Sequence, residues 1–389
     1  IDLAKGKNQQ LFLSISAPDN AKPGIYEGSI RVREKSAETE AQIAVRIRVL
    51  PFDLARSPLI HGIYYRGQIS DGPATVTSDL KTSSQIAVEL ADIAAHGIDY
   101  TTIYQGNSSR FTKTRIKAFR EESVLAEYLR VHQQSGLASD RAFYLGLGAV
   151  GASKQTGYAK RLLRLFDDSG FGPVYFYGKD EAAGEELRAQ RDSWRTLRGF
   201  GARIFVANNK HDLLETDMAR ELDVAILARE LRPDEARALR EQGVEKVLSY
   251  NRPQSAVENP APFRRNYGFD LIAAGYDGAM VYAYQHGFGS IWNDFDHFRW
   301  RDHCLTYPAE TGAIPTLAWE ALREAIDDVR YYATMEDAVR KLSGNSDPAV
   351  EKIEADAASL TRKLSEARTW TPDSIRQELV DLTLAAQVV

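Results

Sequence analysis

The 389-residue chain lacks several things, and each shortage removes a class of protein. It has one cysteine, Cys304, so it forms no disulfide within itself and is not a small stapled scaffold. It has no surplus of positive charge. The 49 Lys and Arg stand against 54 Asp and Glu, a net −5, whereas a nucleic-acid partner needs a basic face. No stretch approaches the roughly 18 continuous apolar residues of a membrane span. No internal repeat and no low-complexity tract is found. No signal-sequence pattern opens the chain, yet Ile1 is not an initiator Met. It therefore reads as a processed or trimmed product, with a periplasmic or secreted location as the expectation. Asp294, Asp296, His297 and His303 match no standard metal-site spacing, and neither metal nor cofactor is expected.

What the chain does contain changes character twice. Up to residue 57 it reads as β-structure. Leu11, Leu13 and Ile15 alternate with Phe12, Ser14 and Ser16; Ile25 to Val32 and Ile43 to Val49 repeat the period of two. Strands joined by short turns predict a small β-sandwich segment. Pro51 and Pro58 mark the way out of it.

Residues 58–314 alternate strand and helix. Strands are expected over Ile60–Tyr65, Asp99–Tyr104, Ala142–Ala149, Val174–Tyr177, Ala202–Ala207, Asp223–Ala228, Lys246–Tyr250 and Asp277–Tyr284. Amphipathic stretches such as Ser123–Ser135, Gly157–Asp168, Glu185–Leu197 and Pro233–Gln242 lie between them. Eight such units over about 250 residues predict a (β/α)8 TIM barrel. The competing open, doubly wound sheet is disfavoured because no Gly-rich phosphate fingerprint follows the first strand. Residues 315–389 are helical. Trp319, Leu322, Ile326 and Val329 recur at helical spacing, as in a final barrel helix with a C-terminal extension.

Barrel enzymes carry their chemistry at the C-terminal ends of the strands. Those ends hold Tyr64 and Tyr65, Tyr104, Asn208, Tyr250 and Asn251, and Tyr284 with His286, followed by Trp292. Rings beside amides and charged groups suit a sugar, which is apolar on its faces and hydroxylated at its rim. An oligosaccharide or polysaccharide is the expected partner. The sharper signal is Tyr175-Phe176-Tyr177-Gly178-Lys179-Asp180-Glu181, where a strand runs through glycine into adjacent carboxylates. In a partly dry cleft two such neighbours do not both ionise freely, and one becomes a general acid. The plainer alternative is that one of them caps the following helix.

Adjacent carboxylates suit substrate assistance. One protonates the leaving oxygen while the other orients the substrate's own 2-acetamido group as nucleophile. Direct displacement instead needs a second carboxylate across the bond, and Glu230 after the sixth strand is the nearby substitute. A non-catalytic glycan-binding protein is a third reading.

The pair Asp180-Glu181, the run Asp277-Gly278-Ala279-Met280-Val281-Tyr282 and the stretch from Tyr307-Pro308 through Gly312 to Pro315-Thr316-Leu317-Ala318-Trp319-Glu320-Ala321-Leu322 resemble glycoside hydrolase family 123 and the related group catalogued as domain of unknown function 4091. The turn Pro18 to Gly28 is similar to the family's sandwich. The resemblance implies a β-sandwich, a (β/α)8 barrel and a C-terminal extension. It also implies a substrate-assisted β-N-acetylgalactosaminidase with Glu181 as acid/base and Asp180 holding the acetamido group.

Overall fold

The structure, a computed structural model, describes residues 6–8, 11–18, 20–33, 40–106, 118–250, 252–253, 259–366 and 369–389. The chain divides into two units, Ile1–Ala55 and Arg56–Val389.

In the first unit β1 (Gly24–Arg33) pairs antiparallel with β2 (Glu40–Val49), Gly24 opposite Val49 and Arg33 opposite Glu40. The expected β-segment is thus present as a hairpin. The strand expected over Leu11, Leu13 and Ile15 does not form, and these residues are exposed outside any strand. Alternation gives a strand one apolar face, but a sandwich needs a second sheet to cover it. Among the described residues this unit has two strands, and Ile25, Val32 and Ile43 stay about half exposed. The pairs Glu27–Arg46 at 3.8 Å and Arg33–Glu40 at 3.5 Å cross the hairpin in open solvent, where such pairs contribute little.

The second unit is a closed parallel barrel. Its wall begins at β3 (Ile60–Ile63), followed by a short ladder, β4 (Gln68–Ile69) with β5 (Leu80–Lys81). It continues through β6 (Tyr100–Ile103), β7 (Ala142–Tyr144), β8 (Val174–Tyr177), β9 (Arg203–Asn208), β10 (Val224–Ala228), β11 (Lys246–Tyr250) and β12 (Gly278–Val281), which pairs back onto β3. All eight expected strands are present, some of them trimmed. At the seam a Cβ on Gly278, whose φ is +143°, would run into the carbonyl oxygen of Ile60. Glycine is what lets the last strand close on the first.

Helices cover the outside. They are α1 (Ser83–Ala95), α2 (Ala118–Gln133), α3 (Gly148–Lys154), α4 (Thr156–Asp168), α5 (Gly184–Arg188), α6 (Arg191–Arg198), α7 (Pro233–Glu241), α8 (Pro260–Asn266) and α9 (Phe269–Ala273). A hairpin of β13 (Thr306–Ala309) and β14 (Gly312–Pro315) precedes α10 (Leu317–Arg340), α11 (Pro348–Glu366) and α12 (Pro372–Val388). The helix expected over Glu185–Leu197 is broken into α5 and α6. At the break the buried Gln190 turns its amide oxygen to the backbone N–H of Lys179, 2.6 Å away, and so supports the loop after β8.

Strand periodicity sorts the wall into two cores. Ile60, Tyr64, Phe143, Tyr175, Tyr177, Phe205, Ile226, Leu248, Tyr250 and Met280 fill the barrel. Ile63, Tyr65, Tyr144, Phe176, Val206, Leu227 and Val281 face the helices. A third core, around Phe269, Tyr332, Leu360, Trp370 and Leu379, ties the C-terminal helices to α9 and α10. There the fully buried Asp328 accepts from Arg264 at 2.8 Å and Arg376 at 2.6 Å. Arg264 therefore belongs to a structural ion triad away from the strand ends.

Candidate active site

The loop after β8 is built from below. Tyr177 is the last inward residue of the strand, and Gly178 adds one ladder bond by donating its N–H to Phe205 at 2.9 Å. A Cβ on Gly178 would sit 2.9 Å from both Trp194 and Val206, so glycine lets the chain turn tightly over α6. Lys179 follows, anchored by Gln190, and the chain then presents Asp180 and Glu181. Glu181 has a φ of 50°, the left-handed region, and its N–H reaches Ala207 O at 3.2 Å. Such a conformation costs a non-glycine residue roughly 1–3 kcal/mol and persists where the surroundings enforce it, often at a functional site. His211 and Arg229, beyond the ends of β9 and β10, share the same strain at 58° and 72°.

Neither acid caps a helix. The N-cap of α5 is Ala183, which makes no side-chain capping bond, and Gly184 N–H is taken by Asp212 at 2.7 Å. Both carboxylates are left for other work.

Their partners differ. Tyr177 donates its hydroxyl to Asp180 Oδ1 at 2.6 Å, and Tyr64 donates to the Tyr177 oxygen at 3.3 Å. The Asn209 amide donates to Glu181 Oε2 at 2.6 Å. Burial raises the Glu181 carboxyl above the ordinary range; the charge of Asp180 adds to this, while Arg229 and Lys210 oppose it. Burial also raises Asp180, and the Tyr177 hydrogen bond pulls it back. Asp180 is itself exposed to solvent, with Tyr177 bonded to it from below and Tyr64 bonded to Tyr177. Burial pushes the Tyr64 and Tyr177 hydroxyls well above their usual value, which keeps them protonated as donors.

Several residues named from the sequence gather here. Tyr64 lies at the centre, with ring centroids 5.8 Å from Tyr250 and 5.1 Å from Tyr282. Tyr104 carries the Arg66 guanidinium over its ring at 5.2 Å, and Arg66 is fixed by Asp79 at 2.9 Å. His286 meets the Tyr282 hydroxyl at 2.7 Å through Nδ1. Asn208 is buried just beneath the carboxylate loop. Its amide donates to Asp212 at 2.9 Å while its oxygen accepts from His211 N–H.

Others are placed elsewhere. Tyr65 follows Tyr64, so the period of two turns it outward, where its hydroxyl donates to Glu89 at 2.7 Å. Tyr284 also leaves the barrel mouth, donating to Asp92 at 2.9 Å and packing on Trp319. Trp292 is half exposed, stacked on Tyr307 at 5.4 Å in the loop beyond β12. Glu230 is exposed past β10, and Asn251 lies outside the described residues. The sequence reading missed Tyr177 and Tyr282 as site residues. Parity was the available signal for the tyrosines: Tyr177 shares a face with Tyr175, and Tyr282 with Met280. A shallow hollow of about 380 Å³ between Leu163, Phe171, Val174 and Phe200 lies at the opposite end of β8, where barrels keep stability rather than chemistry.

No family model matches the chain, and no curated protein matches it. Solved structures do. A family 123 glycoside hydrolase from Clostridium perfringens, whose structural analysis concerns glycolipid glycan hydrolysis, superposes with a TM-score of 0.61. The match covers 95% of this chain and 76% of that one at 13% identity. The chain shares that enzyme's fold. A weaker likeness links it to GH5_18 from Streptomyces cattleya in complex with GlcNAc, with a TM-score of 0.44 and 13% identity over 71% of this chain and 81% of that one. The β-glycosidase BGL167 gives 0.40 and 12% identity over 71% and 97%. The resemblance drawn from short motifs is thus matched at the level of the whole fold. Among the described residues no group of three metal-binding side chains occurs, and no helix is long and apolar enough to cross a membrane.

Proposed function

We propose that the protein hydrolyses glycosides of a 2-acetamido hexose by a retaining, substrate-assisted route. One observation carries the reading. Asp180 and Glu181 stand side by side at one strand end, each held by its own partner, while the strand ends around them carry Tyr104, Tyr250 and Tyr282. In the first step the acetamido oxygen attacks the anomeric carbon and Glu181 gives its proton to the departing oxygen. Asp180, fixed by Tyr177, accepts the acetamido N–H and balances the charge that grows on the ring formed. In the second step Glu181 takes a proton from water, which opens that ring with overall retention. The raised carboxyl of Glu181 suits a group that must first be an acid. The likeness in fold to a family 123 enzyme studied for glycolipid glycan hydrolysis supports a glycan substrate.

The test compares aryl 2-acetamido-2-deoxy-β-galactoside and β-glucoside with the parent sugars lacking the acetamido group. Hydrolysis is expected of an acetamido sugar only, with inhibition by a thiazoline mimic of the cyclised intermediate. Equal turnover of sugars without the acetamido group would sink the mechanism and make Glu230 the next residue to vary.

A further inference from the structure

The segment from Gly287 to Asp302, between β12 and β13, is a compact loop with its ends zipped together. His286 and His303 exchange backbone hydrogen bonds of 3.0 and 2.9 Å. Its acids brace it. Asp302 accepts from Phe288 N–H at 2.8 Å, Asp296 from Ser290 N–H at 2.7 Å, and Asp294 from the Tyr307 hydroxyl at 3.0 Å. Beside the exposed Asn293, Asp296, Arg299 and Arg301, the loop shows three large rings to water: Phe298 is 94% exposed, Phe295 76% and Trp300 46%. Arg299 lies over the Trp300 ring at 4.7 Å and Arg301 over Phe295 at 4.8 Å, so hydrogen-bond donors edge the rings. A braced loop that displays three large rings edged by donors fits an occupant for those rings.

The rings are continuous with the carboxylates. Tyr177, bonded to Asp180, meets Tyr64; Tyr64 meets Tyr282 at 5.1 Å, Tyr282 meets His286 at 5.5 Å, and His286 meets Phe288 at 4.4 Å. Phe288 lies nearly parallel to Trp300 at 6.4 Å. Beneath the carboxylates the barrel is plugged by Tyr64, Tyr104, Tyr177 and Tyr250, none more than 9% exposed. A sugar seated on that floor can continue in one direction, outward over the rim.

We propose that the Gly287–Asp302 loop is a binding site for the leaving-group portion of a glycan, its sugar faces stacked on Trp300 and Phe298 and its hydroxyls bonded by Arg299 and Arg301. This rests on the function proposed above. The test uses the paired variant Trp300→Ala/Phe298→Ala, both exposed positions, on two substrates: p-nitrophenyl 2-acetamido-2-deoxy-β-galactoside and a tetrasaccharide ending in the same sugar. We expect KM for the tetrasaccharide to rise about ten-fold, the loss of two modest stacking contacts, with a clearly smaller loss on the aryl glycoside, whose leaving group is a single ring. Equal loss on both substrates, or no loss on either, overturns the proposal. So does loss of binding to phosphatidylserine vesicles with unchanged tetrasaccharide kinetics, which would make the loop a lipid contact. If the unmodified protein hydrolyses neither substrate, the functional reading fails separately. Calorimetric tetrasaccharide binding weakened by the paired variant would still support the loop site, and absence of binding would refute it.

Discussion

Glu89 and Glu181 are both glutamates whose carboxyls burial raises above the usual range, and they lead opposite lives. Glu89, on α1, is 1% exposed and receives donors from Lys81 at 2.8 Å, Tyr65 at 2.7 Å and Gln285 at 3.2 Å. Gln285 also accepts from Lys81 at 2.9 Å, so the network fastens β5, α1 and the segment after β12 together. Glu181 sits on a strained backbone, half open to water, with the Asn209 amide as its side-chain donor among the described residues. The fold saturates one carboxylate and leaves the other with room for a substrate. A saturated buried charge holds structure together, whereas an unsaturated one in a cleft is available for chemistry.

The largest effect expected from breaking that contrast is on catalysis. Glu181→Gln should lower kcat on substrates with poor leaving groups by about 10²–10⁴, and far less on activated aryl glycosides that depart without a proton. Stability should not fall with it. A carboxyl raised in the folded state favours folding when protonated and loses that benefit as pH rises through its folded pKa, so a neutral amide is as stable or more so above that point. A Glu181→Gln protein that melts markedly earlier at neutral pH would show that Glu181 is structural after all.

Glu89 should give the mirror image. Lys81→Met leaves the Glu89 carboxylate buried beside an apolar side chain, and unfolding free energy should drop by about 3–5 kcal/mol in a denaturant titration. Lys81→Met/Glu89→Gln should recover part of the loss, since no bare charge remains. Activity per folded molecule should survive in both variants. A Lys81→Met protein with unchanged unfolding would mean that water already reaches the pair.

The contrast was only half legible in the sequence. All eight strands could be read, because a parallel barrel strand is buried on both faces and leaves apolar runs such as Val224–Ala228. The Asp180-Glu181 pair was legible because glycine ends its strand. Which tyrosine of a neighbouring pair enters the cleft required the exact register, and naming both Tyr64 and Tyr65 ignored a period of two that admits one of them. Tyr284 was misread for a different reason: β12 ends at Val281, and although Tyr282 directly after it still follows the strand's parity, by Tyr284 the alternation no longer governs direction. Lys81, Glu89 and Gln285 lie too far apart in sequence for spacing to join them. The Leu11–Ile15 alternation was real, but a pattern cannot supply the sheet that would bury it.

A smaller effect should separate the two members of the site. Tyr177→Phe removes the hydroxyl that holds Asp180 and favours its ionised form. If Asp180 must be ionised to orient the acetamido group, the acid limb of kcat/KM should move to higher pH. The rate on the plateau should fall by about ten-fold, the cost of one charge-assisted hydrogen bond. Tyr64→Phe, one step further from the carboxylate, should do less. An unshifted acid limb in Tyr177→Phe would detach Asp180 from that limb.

The smallest effect belongs to Arg229, and it bears on the site's electrostatics alone. Arg229 is exposed beyond β10, and its charge favours the ionised form of Glu181, opposing burial and Asp180. Arg229→Met withdraws that charge, so the Glu181 carboxyl should rise further. Glu181 acts first as an acid, so the activity lost as pH rises through its pKa should now be lost later. The basic limb of kcat/KM therefore moves up, on the order of half a pH unit for an exposed charge. Added salt screens Arg229 in the unmodified protein, so the gap between the two profiles should narrow as ionic strength approaches 1 M. A basic limb that moves down, or a gap indifferent to salt, would show that the limb reports a group other than Glu181.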